Sequence, residues 1–220
     1  EETTIHYAPF NDPVGNGVTL LVNGNSDGKI KYELSDKVGA GLLHIFAGLQ
    51  DASNILSSKL NAFAYRDAGV ELAANTAIVG VKSVDGSNLA KDIKNKMNVG
   101  FVVSSKGTGL KADVLKLYNI RLYKNGNLVD KAVATHWDAI SAGLVGAEAA
   151  QKMRLSIDVP AGADFDEVVL YNTGLLSADL DQLNIYYAYV SDATQDNPVT
   201  NVLYGAETIS SDLTHATIDW

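Results

Sequence analysis

The chain has 220 residues, a formal net charge of −9, 46% hydrophobic residues and no cysteine. That acidity excludes nucleic acid as a partner and disfavours anionic lipid, leaving neutral glycans, cations or plain solubility. Without cysteine there are no disulfides or thiolate metal sites, and no apolar run reaches the roughly 18 residues of a membrane-spanning helix.

Mean hydropathy near zero argues against disorder, and the length suits one large β domain or one domain plus pieces. No basic-then-apolar leader is visible, so the start at Glu1-Glu2-Thr3-Thr4 reads as a mature or trimmed one.

In chain order, Val18 to Val22 and Lys29 to Leu34 flank the turn Asn23-Gly-Asn-Ser-Asp-Gly28 and predict a hairpin. Gly41 to Phe46 is a short apolar strand candidate, and Thr76 to Val81 another, followed by a loop at Asp85-Gly86-Ser87-Asn88. Leu89 to Met97 offers a helical turn or two. Asn98 to Val103, with its β-branched and aromatic residues, predicts an inner strand.

Ile120 to Tyr123 and Leu128 to Val133 flank Lys124-Asn125-Gly126-Asn127 and form the clearest hairpin, since Asn-Gly supplies the positive φ of a tight turn. Ala142 to Met153 is a helix candidate weakened by its glycines. Arg154 to Val159, Glu167 to Tyr171 and Asn184 to Val190 read as strands. Many short strands at intervals of roughly ten residues predict an all-β fold: a jelly-roll-like antiparallel β-sandwich with at most short helices.

The end of the chain echoes an earlier segment. Ser57-Ser58-Lys59-Leu60-Asn61 matches Ser210-Ser211-Asp212-Leu213-Thr214, and a short apolar strand and an acidic residue follow in both copies. The expected organisation is therefore leading strands or a small piece over residues 1–40, a sandwich module over 41–195, and a linker with the start of a second repeat or a docking strand over 196–220.

From Gly41 to Val190 the order of motifs resembles a repeat of Bacteroidetes surface adhesin-like proteins. The residues carrying it are Asn54–Arg66, Gly100–Val103, Phe165-Asp166-Glu167-Val168 and Leu183-Asn184-Ile185-Tyr186-Tyr187-Ala188. The opening segment is also similar to a loop of discoidin-like, galactose-binding jelly-rolls, where it helps to hold calcium. Lys59 stands at that place here, and an ammonium opposes a cation site. The resemblance implies an extracellular or cell-surface module for adhesion.

No catalytic motif emerges. His6, His44, His136 and His215 are scattered without ligand spacing, and there is no nucleophile elbow. Neither a metal nor a cofactor is expected. Asp164, Asp166 and Glu167 crowd together as glycosidase chemistry would require, but nearness in sequence does not set the separation of about 5–9 Å.

For binding, aromatic faces beside polar loops are the best candidates, because sugar rings stack on aromatics while hydroxyls take amide and charged partners. Trp137, Tyr65, Asn61, Asp51 and Arg66 are the residues of that kind, with Trp137 as a core aromatic and Tyr65 as a plain strand residue the competing assignments. Strict alternation places Tyr187 and Tyr189 on one face and Tyr186 on the other, against a contiguous tyrosine patch.

The function expected is a non-catalytic, non-enzymatic surface module whose partner is a glycan or a surface protein. A structural spacer repeat with no small-ligand site is the alternative, and a glycoside hydrolase the third reading.

Overall fold

The computed structural model describes residues 17–24, 30–35, 49–67, 75–105, 117–129, 152–174 and 182–192. Eleven strands are found there: β1 (Val18–Leu20), β2 (Tyr32–Leu34), β3 (Leu49–Gln50), β4 (Ala64–Arg66), β5 (Thr76–Ser83), β6 (Met97–Ser105), β7 (Tyr118–Lys124), β8 (Asn127–Leu128), β9 (Met153–Val159), β10 (Glu167–Asn172) and β11 (Leu183–Asp192). A single 3-10 turn, Ala52–Leu56, is the only helical element among the described residues. The expected all-β sandwich is what forms.

Two antiparallel sheets face each other. One runs β3-β4-β11-β6-β9, with β1 also on β11, and the other runs β2-β5-β10-β7-β8. From β5 to β11 the chain repeatedly crosses between them, so β6, β9 and β11 share one sheet while β5, β7 and β10 share the other. The core lies between the sheets. Val99, Phe101, Val103, Leu155, Ile157, Ile185 and Val190 come from the first, and Val79, Val81, Ile120, Leu122, Val168 and Leu170 from the second. Burying each such side chain stabilises the fold by about 1.5–3 kcal/mol.

The Asn125-Gly126 hairpin joins β7 to β8 as expected, with positive φ at both residues (49° and 76°). Asp166 secures it, its carboxylate accepting the Asn125 amide at 3.0 Å.

Two expectations are corrected. The first hairpin does not form: β1 pairs with β11 and β2 with β5, in different sheets. The chain crosses at Asn23, whose amide donates to the Tyr32 carbonyl and accepts the Tyr32 N–H, both at 2.9 Å, in the manner of a strand partner. The turn or two expected over Leu89 to Met97 forms near its start, where the Lys91 and Ile93 amides donate to the Asn88 and Ala90 carbonyls and bury Leu89, Ala90 and Ile93, while Met97 already belongs to β6.

The second correction concerns the tyrosines. A bulge at Tyr186 shifts the register, so that Ile185 opposes Val103 and Tyr187 opposes Val102. Tyr186, Tyr187 and Tyr189 consequently pack in one cluster with Leu20, Val22 and Val102 on the outer face.

The helix expected over Ala142 to Met153 lies outside the described residues except for Met153, which opens β9. The strand at Gly41 to Phe46, the C-terminal echo, Trp137 and all four histidines also lie outside them.

Candidate functional site

Strand β4 is short and lies between β3 and β11, with Tyr65 directly opposite Gln50 on one side and Asn184 on the other. Asn184 in turn opposes Ser104 on β6. Directly opposed residues share a face, so Gln50, Tyr65, Asn184 and Ser104 form one row across the outside of the sheet. Period-two alternation sends the next residue, Arg66, inward.

Around that row the aromatic rings meet edge to face. Phe63 sits 6.4 Å from Tyr65 at 70° and 5.4 Å from Tyr186 at 62° between ring planes. This is the favoured geometry for quadrupolar rings. The Asn54 amide donates to the Phe63 carbonyl at 3.0 Å and fixes the chain entering β4.

The Lys152 ammonium lies over the Tyr186 ring, 4.6 Å from its centroid. It also donates to the Leu60 carbonyl at 3.0 Å and to Asn61 Oδ1 at 2.9 Å. Beneath, the Tyr186 and Ser104 hydroxyls are 3.1 Å apart, Asn184 donates to Ser104 Oγ at 3.1 Å, and Gln182 donates to Asn184 Oδ1 at 2.9 Å. The result is a half-exposed aromatic wall, Phe63 and Tyr65, on a hydrogen-bonded polar floor, with an amide and an ammonium at its rim.

Of the residues expected to bind, Tyr65 and Asn61 are brought into this one cluster, linked through Phe63, Tyr186 and Lys152. Asp51 is exposed just past Gln50, held at φ 53° with its carbonyl accepting the Asn54 N–H. Arg66 is only 1% exposed. It reaches across the core to the Tyr118 hydroxyl of the other sheet, and offers nothing to a ligand.

Sequence reasoning missed Phe63, Tyr186, Lys152, Asn184 and Ser104. Phe63 and Tyr186 lay inside the motifs already singled out, whereas nothing local connects Lys152 to a turn some ninety residues earlier in the chain.

The crowded carboxylates have different neighbours. Asp166 caps the hairpin turn, Asp164 pairs with Lys124 at 2.9 Å, and Glu167 opposes Lys82 and Tyr123 on the outer face of the second sheet. Among the described residues no three acidic or histidine side chains group as metal ligands, and no helix is long and apolar enough to cross a membrane.

An antiparallel β-sandwich with an aromatic and amide cluster on one outer face is thus the class that the coordinates define. No protein-family model matches the chain, and no curated protein matches it. A solved structure named CpGH89CBM32-4, produced by Clostridium perfringens, aligns over 78% of this chain and 96% of that one, at 13% identity and a TM-score of 0.34. The architecture stands on the strand register given above.

Proposed function

We propose that the chain is a non-catalytic, cell-surface binding module that seats a carbohydrate against Tyr65 and Phe63, with Asn61 at the rim. The observation carrying this is the edge-to-face aromatic wall beside an exposed amide. Such a wall offers ring faces to a sugar's C–H groups and a polar rim to its hydroxyls. The turn capping by Asp166 and the pairing of Asp164 with Lys124 support the non-catalytic part, and the adhesin-like order of motifs supports the surface setting.

A glycan-array screen of the whole chain, run beside Tyr65→Ala, tests the reading. Saturable binding should weaken at least about tenfold in the variant while circular dichroism is unchanged. The spacer reading has one observation in its favour: Lys152, Asn184, Ser104 and Tyr186 hydrogen-bond or stack on one another, as packing groups do. Silence across the array would favour it.

A further inference from the structure

Lys152 settles which way the Asn61 amide faces. An ammonium carries three donors and no acceptor, so the amide atom it meets at 2.9 Å must be the oxygen. The amide NH2 is then turned away from the lysine. Asn61 is exposed, and its NH2 donates to no other group among the described residues.

Lys152 is held in turn by the Leu60 carbonyl and the Tyr186 ring, so the ammonium that fixes the amide is itself anchored on two further sides. The rim of the aromatic wall therefore presents outward donors. A freely rotating asparagine would offer either end of its amide. This one offers N–H only.

Resting on the carbohydrate reading above, we propose that the site selects sugars bearing a projecting acceptor oxygen, either the carbonyl of an acylamino group or a carboxylate. Lys152 is the positioning residue that imposes this preference. An unsubstituted hydroxyl both donates and accepts and gains less from a fixed pair of donors. Once a bound ring displaces water from the rim, a sugar lacking such an acceptor leaves the covered NH2 unpaired.

Two arms test this on the whole chain. In the unliganded protein, amide hydrogen exchange of residues 60–63 and the side-chain NH2 signal of Asn61 are followed by NMR in wild type, Lys152→Met and Asn61→Asp. Lys152→Met should speed exchange of the turn about tenfold, whereas Asn61→Asp keeps an acceptor for the ammonium and should leave the turn protected.

In the second arm, binding is measured to immobilised oligosaccharides ending in an N-acetylhexosamine, a hexuronate or an unsubstituted hexose. Wild type should prefer at least one of the first two over the hexose by about tenfold, and which one identifies the source of the acceptor. Asn61→Asp replaces the outward N–H groups by oxygen and should erase that preference with the melting temperature retained. Unchanged exchange in Lys152→Met overturns the inference and leaves the carbohydrate reading standing. A preference that survives Asn61→Asp, or no preference in wild type, also overturns it. If wild type binds none of the three, the carbohydrate reading falls and this selection falls with it.

Discussion

Arg66 and Tyr65 are neighbours in sequence and face opposite ways. One contributes to the outer aromatic wall and the other places a guanidinium between two sheets, opposite Leu49 and Leu183 in register. Burial pushes the Tyr118 phenol above its ordinary pKa, while the Arg66 guanidinium, hydrogen-bonded to it, pulls the other way. Tyr118→Phe takes one partner from a charge that has no water to turn to. It should destabilise the fold by about 1–3 kcal/mol in urea titration. Adding Arg66→Met to that variant should restore stability, because removing a buried charge together with its partner is far less costly than removing the partner alone. A neutral Tyr118→Phe would show that the contact does not hold the sheets together. Sequence favoured an exposed Arg66 because arginine is almost never fully buried without a partner, and the partner here lies on a strand 52 positions later.

At the level of the strand, the middle of the fold was legible and the joints were not. The long strands β5, β6, β7, β9, β10 and β11 announce themselves by β-branched and aromatic runs, which fit a pleated, largely buried surface. The Tyr186 bulge is invisible in sequence, since an extra residue exists only relative to a partner strand. It falls where one edge of β11 changes partner, from β4 at residues 183–185 to β1 at 189–191. The misread first hairpin has a similar cause: Asn23 imitates a strand partner with its side chain, and that imitation looks like a turn residue in the sequence.

Of the site, Tyr65 and Asn61 were within reach of sequence reasoning because both sit in one short motif. Lys152 was not, for its role depends on the packing of β9 beside β6. Gly100 gives the strand-level prediction. It opposes Tyr189 on β11, and a methyl group there would run into the Leu155 carbonyl and come within 2.7 Å of Ser156 Cα on β9. Gly100→Ala should therefore cost about 1–3 kcal/mol or more, since backbone on a paired strand cannot move aside as a side chain can. An unaltered urea midpoint in that variant would contradict the close approach of β6 and β9.

For the molecule as a whole, buried phenols set the response to alkali. Burial is the main cause raising the pKa of Tyr32, with Asp92 adding to it. It also dominates at Tyr118 and at Tyr123, where Arg121 opposes it and Tyr171 and Glu167 reinforce it. A phenol whose folded pKa lies above its unfolded value of 10.0 keeps its full contribution to stability below that pH. The contribution is lost as pH rises through the folded value, because the unfolded chain releases its proton first. The protein should hold its stability up to about pH 10 and then lose it steeply. Phenolate absorbance and loss of tertiary signal should rise together as the core opens. Tyrosines that titrate fully while the fold persists would show that these rings reach water without unfolding.

The strand order also bears on how the chain is made. The central strand of each sheet, β10 in one and β11 in the other, comes last among the described strands, at residues 167–172 and 183–192. The halves of each sheet wait for them. While a ribosome is still making this chain, β2 can pair with β5, β3 with β4, β6 with β9 and β7 with β8, but β1 has no partner and nothing joins β5 to β7 or β4 to β6. The polypeptide then holds only separate two-stranded ribbons until synthesis has passed about residue 192, when both sheets close at nearly the same moment. Such ribbons leave their strand edges open, and they need something to shield those edges until then.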